Sequence, residues 1–169
     1  MHTVEKEPSI VHADISPGQF IFIDGLYKLN DFNRCRYLRR NVTSGGTCGF
    51  TAANNPGRRR APEEYKYESE NEKIDVFSMG HIFYTILTGK LPFIEFESKE
   101  VYKKVKKGHL PKLADDLQQS TDPVHVALKK AMEMCYTYKP EHRASATEVL
   151  DYLTAQYNLI YPEDNLIKP

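Results

Sequence analysis

The sequence has too little cysteine to build with. Cys35, Cys48 and Cys135 are an odd, scattered set with no metal-ligand spacing and no self-contained disulfide framework. Free thiols in a reducing, cytoplasmic setting are the expectation. Net charge is also lacking: Lys+Arg and Asp+Glu are both 23. That balance argues against general nucleic-acid or membrane binding, since both draw on a cationic excess. No window approaches the apolar length needed to cross a bilayer. The opening residues 1–9 lack the apolar stretch of a secretion signal. Repeats and low-complexity segments are absent. What is present is an ordinary globular composition, 40% hydrophobic and 27% charged over 169 residues, enough for one domain with its own core.

The pattern along the chain is mostly helical. Gln19–Ile23 and Leu26–Leu29 are short β-type runs joined by Asp24-Gly25, a strong hairpin signal because the turn needs positive φ. Residues 34–60 lack periodicity and carry four glycines, so a long loop is expected there. Lys73 to Thr88 is apolar on most faces, as a buried helix is, and Gly89 follows in the usual stopping position. Lys99 to Lys107 reads as a basic surface helix stopped by Gly108. Asp122-Pro123 opens another helix, whose apolar stripe is Val124, Ala127, Leu128, Ala131, Met134 and Cys135. Ser145 to Glu148 forms a capping box before the apolar Val149, Leu150 and Leu153. Residues from Tyr161 on read as a loose tail.

The chemistry sits in two short segments. His12-Ala13-Asp14-Ile15-Ser16-Pro17-Gly18-Gln19 resembles the catalytic loop H-R-D-L-x-x-x-x-N of eukaryotic protein kinases. Asp31-Phe32-Asn33 resembles their metal-binding D-F-G. The hairpin separates the two, as in that family. Ala61-Pro62-Glu63 matches A-P-E, Asp75 to Gly80 resembles the start of the family's central buried helix, and Thr88 to Phe93 matches the segment after it. Pro140 to Ala146 matches the late Pro-x-x-Arg-x-Ser-Ala. Each is weak alone; six in the correct order, spanning roughly residues 10–156, are a strong resemblance.

The resemblance implies a mainly α (α+β) fold: the C-terminal lobe of a protein kinase, helical with a small β-hairpin. Residues 1–156 would be the kinase-like domain and 157–169 a tail. In the intact family, ATP and Mg²⁺ are used to transfer the γ-phosphate to a protein hydroxyl. Asp14 matches the catalytic residue that accepts or orients the hydroxyl proton. Asp31 matches the Mg²⁺-binding carboxylate, and Gln19 stands where the family has a metal-binding Asn. Glu63 and Arg143 match a buried ion pair. Asp75 matches the anchor of the catalytic-loop backbone, and His12 packs under that loop. The implied partners are a protein substrate or partner protein.

Several positions depart from the family. Ala13 replaces an Arg that often pairs with a phosphorylated loop. Ser16 replaces a Lys that stabilises charge near the transferred phosphate. Asn33 replaces Gly, and Asn tolerates left-handed backbone. The arginines at 34, 36, 39 and 40 and at 58–60 could meet a phosphate on Thr43, Ser44 or Thr47, or simply be solvated. Only eleven residues precede His12. An N-terminal lobe, with its Gly-rich loop and pairing Lys, is expected to be supplied by sequence not present here. The chain alone is then expected to be inactive, with weak ATP binding at best. A non-catalytic pseudokinase module that binds a partner, or a truncated gene product, is the alternative.

Overall fold

The structure, a computed structural model, describes residues 9–52 and 57–164. The secretion-signal reading of residues 1–8 and the tail reading of residues 165–169 lie outside it. In chain order the elements are β1 Ile10–Val11, β2 Phe20–Ile23, β3 Leu26–Leu29, β4 Arg36–Tyr37, α1 Pro62–Lys66, α2 Lys73–Thr88, α3 Ser98–Lys106, α4 Asp115–Gln119, α5 Pro123–Cys135 and α6 Ala146–Ile160.

Helix α2 is the member around which the others assemble. Ile74, Val76, Phe77, Phe83 and Leu87 are buried, and Ile86 alone among its large apolar side chains is well exposed. The helix stops where Gly89 turns left-handed at φ 68°, a conformation that costs glycine nothing. α5 packs along α2, and α6 packs on α5. The α2–α5 crossing is close because of Gly80: a Cβ there would lie 2.7 Å from the Tyr136 ring.

The helix starts follow their capping residues. Asp122 Oδ1 accepts from the Val124 and His125 amides at 2.9 and 3.0 Å, satisfying donors that the helix itself cannot. The Ser145 hydroxyl accepts from the Glu148 amide at 3.1 Å while the Glu148 carboxylate accepts from the Ser145 amide at 2.7 Å. α3 turns Val101 and Val105 inward against α1 and leaves its lysines at the surface. α6 runs through Ile160, so residues 157–160, set apart as tail from the sequence, continue the helix.

The β structure is two small antiparallel pairs. β2 and β3 form the hairpin, with Phe20 opposite Leu29 and Ile23 opposite Leu26. Asp24 at φ 53° and Gly25 at φ 77° make its two-residue turn. β1 pairs with β4, which the sequence placed in the long loop. That loop is more ordered than expected. Arg40 bridges to Thr47 and Phe50 bridges to Glu70, and the Asn41 side chain caps a turn through the Thr43 and Ser44 amides.

Candidate functional site: the 12–19 loop and Asp31

Asp75, in the first turn of α2, holds the loop that carries Asp14. Its two carboxylate oxygens accept from the His12 and Ala13 amides at 2.7 and 2.8 Å. Ala13 needs such a clamp, because its φ of 60° is left-handed and strained for a residue with a Cβ. Its carbonyl is held from the other side by Arg60 Nη1 at 2.7 Å. Asp14, the next residue, is thereby fixed in direction, partly exposed to solvent.

His12 and Gln19 tie this loop to the second motif. The His12 ring meets the Asn30 carbonyl through Nε2 at 2.9 Å and lies against the Phe32 ring. The ring is fully buried, and its Nδ1 has no hydrogen-bond partner among the described residues. Gln19 donates from its side-chain amide to Asp31 Oδ2 at 3.2 Å, and its backbone carbonyl accepts from the Asn30 amide at 2.8 Å. Gln19 and Asp31 are thus side by side.

The residue that turns left-handed at the second motif is Asp31, at φ 59°. Asn33 lies in the short 3-10 turn Phe32–Arg34 and does not have positive φ. The tolerance of Asn for left-handed backbone is therefore not used at that position.

The donor set suits a hard cation. Asp31 offers carboxylate oxygens, and Gln19 offers an amide oxygen once its amide turns from donor to acceptor. Mg²⁺ prefers such oxygens and commonly takes its other ligands from water and substrate phosphates. No cluster of three or more His, Cys, Asp or Glu that could hold a metal occurs among the described residues. The pair fits a shared Mg²⁺–nucleotide site better than an all-protein cage.

The sequence reading missed Arg60. Far from a solvated loop residue, it is buried, with Nη2 2.9 Å from Asp14 Oδ1 and Nη1 3.8 Å from Glu64 Oε1. The second contact has ion-pair geometry but differs in charge. Burial pushes the Glu64 carboxyl up to about 8, against the pull of Arg60, so Glu64 is mostly protonated at neutral pH. Asp14 is the nearer carboxylate facing this guanidinium. A run of three arginines before Ala61 was the available signal, but nothing in it distinguishes the one that folds inward.

Glu63 and Arg143 form a bidentate pair at 2.6 and 3.1 Å, both buried. Arg143 also donates to the carbonyls of Lys73 at 2.7 Å, Thr137 at 2.8 Å and Tyr138 at 3.2 Å. All five guanidinium N–H groups are thereby used, joining α1, the start of α2 and the link after α5.

The protein kinase domain family matches residues 1–153. A putative serine/threonine-protein kinase/receptor of Acanthamoeba polyphaga mimivirus is 29% identical over 164 residues, covering 95% of this chain and 9% of that protein. The mitogen-activated protein kinase kinase kinase 12 of Rattus norvegicus is 29% identical over 147 residues, 85% of this chain and 15% of that protein. A putative mitogen-activated protein kinase kinase kinase 7-like of Drosophila melanogaster is 29% identical over 176 residues, 100% of this chain and 41% of that protein. The chain belongs to the protein kinase family and spans well under half the length of each of these relatives.

Proposed function

We propose that this chain is the C-terminal-lobe portion of a protein kinase, the part that receives the protein substrate and holds one side of Mg²⁺–ATP. The observation that carries the reading is the joining of the two motifs by the Gln19–Asp31 and His12–Asn30 hydrogen bonds, 3.2 and 2.9 Å. Asp14 orients the accepting hydroxyl and takes its hydrogen bond. Asp31 and Gln19 would hold Mg²⁺, which when bound would neutralise charge at the phosphate oxygens. Arg60 places a cation beside Asp14 where the catalytic loop itself offers Ser16. The mimivirus relative, named as a serine/threonine-protein kinase/receptor, favours a seryl or threonyl acceptor. The three cysteines are free thiols, which favours the cytoplasm.

The 169 residues contain no Gly-x-Gly-x-x-Gly segment. Catalysis of this kind is largely positioning and electrostatic stabilisation. With contacts from one side only, in water of high dielectric, nucleotide binding by this chain alone is weak and transfer is absent. A second reading, a non-catalytic module that binds a partner protein, is favoured by Arg60, which occupies the Asp14 carboxylate. A radiolabel transfer assay on a generic protein substrate separates these readings when the chain is supplied with the upstream part of a related kinase. Labelling that disappears in Asp14→Asn supports the enzyme; no labelling from a folded, Mg²⁺–ATP-binding assembly supports the module. Labelling by the chain alone contradicts its inactivity.

A further inference from the structure

A cleft of about 190 Å³ is lined by Arg58, Arg59, Leu91, Pro92 and Ile94. Its walls differ in chemistry. Leu91, Pro92 and Ile94, from the connector after α2, make an apolar side. Arg58 and Arg59, from the segment leading into α1, make a cationic side. Arg58 is steadied by Ser98, with its Nε donating to the hydroxyl at 3.3 Å, and by a long contact of 3.5 Å to the Ile94 carbonyl. Both contacts are neutral acceptors. Among the described residues neither Arg58 nor Arg59 is in an ion pair, although Glu95 and Glu97 stand in the same connector. Two half-buried guanidinium groups without a carboxylate partner among the described residues are suited to receive an anion.

We propose that this cleft is an anion subsite of the peptide-binding face, taking a carboxylate or phosphate group that the substrate carries close to its accepting hydroxyl. The inference rests on the reading that this face receives a peptide. Position supports it: Arg60 follows Arg59 directly and sits 2.9 Å from Asp14. A peptide with its hydroxyl at Asp14 therefore passes along the Arg58–Arg59 wall. The apolar side receives the methylenes and backbone of the residue whose charged end meets the arginines. A substrate with Lys or Arg at that place is repelled, so the cleft selects as well as binds.

The test needs no catalysis. The purified chain, with isotope-labelled leucine and isoleucine methyl groups, is titrated with three short peptides. Each has one central serine, and they differ only in neighbours that are aspartate, phosphoserine or asparagine. The expected result is that the Leu91 and Ile94 methyl signals shift with all three. The anionic peptides should bind about threefold or more tightly, with the margin shrinking in added salt. Arg58→Gln/Arg59→Gln should bring the three affinities together while leaving the melting temperature unchanged. Arg59→Glu should favour a lysine-flanked peptide. Preference for only one of the two anionic peptides identifies carboxylate or phosphate as the natural group. Equal affinities in the unsubstituted protein, or a preference that survives the double substitution, overturns the anion subsite while the peptide-binding reading stands. If no peptide moves Leu91 or Ile94, both fail.

Discussion

Arg60 stands 2.9 Å from the Asp14 carboxylate and 3.8 Å from that of Glu64. The farther, Glu64, is buried enough to hold its proton up to about pH 8. A folded-state pKa above the unfolded value stabilises the protein below the unfolded value, near 4.5, and that contribution is lost as pH rises through about 8. Glu64→Gln keeps the shape of the protonated acid without its titration. The unfolding free energy of the unsubstituted protein should therefore fall relative to Glu64→Gln between pH 5 and 9, by roughly 3–5 kcal/mol. Denaturant titrations across that range check it, and parallel curves would refute it. His81 titrates in both proteins and cancels. Burial beside Tyr136 pulls it down to about 3, so it stays neutral at physiological pH. The Glu63–Arg143 pair makes a second test. Removing one partner leaves a buried charge uncompensated, so Glu63→Ala and Arg143→Ala should each cost about 3–5 kcal/mol. Unchanged melting temperatures in both would contradict the pair. At this scale the Glu63–Arg143 pair and the hold of Asp75 on the His12–Ala13 backbone were legible because each residue falls within an ordered motif. Arg60 was not, because its role depends on the 57–61 segment folding back onto Ala13.

Elements were legible in proportion to their length. α2 announced itself by being apolar on most sides, α5 and α6 by their caps, and the hairpin by Asp24-Gly25. β1 and β4 have two residues each, and α1 and α4 five each, too few for any periodicity to register. The α2–α5 crossing was not legible either, since Gly80 in the sequence is only a poor helix former. The structure gives it a purpose. Gly80→Ala would gain about 1 kcal/mol of helix propensity. Its methyl, however, would meet the Tyr136 ring at 2.7 and 2.8 Å and the Cys135 Cβ at 3.1 Å. Overpacking of this kind typically costs about 1–3 kcal/mol, so the melting temperature should fall. A rise would mean that α5 is free to move away.

On the scale of the whole molecule, two loops carry Asp14, Gln19 and Asp31, and the hairpin between them presents Phe22, Leu26 and Tyr27 to solvent. The site is held together from below by α2, through Asp75, and nothing among the described residues covers Gln19 and Asp31 with a second set of phosphate-binding groups. We propose that these two residues are the chain's contribution to Mg²⁺–nucleotide binding. Replacing Mg²⁺ by paramagnetic Mn²⁺ and adding ATP to the isotope-labelled chain tests it most directly. Signal broadening should centre on Gln19, Asn30 and Asp31 and be lost in Asp31→Ala while the fold is kept. Broadening centred on another acidic stretch, such as Asp115-Asp116, or broadening unchanged by Asp31→Ala, would contradict it.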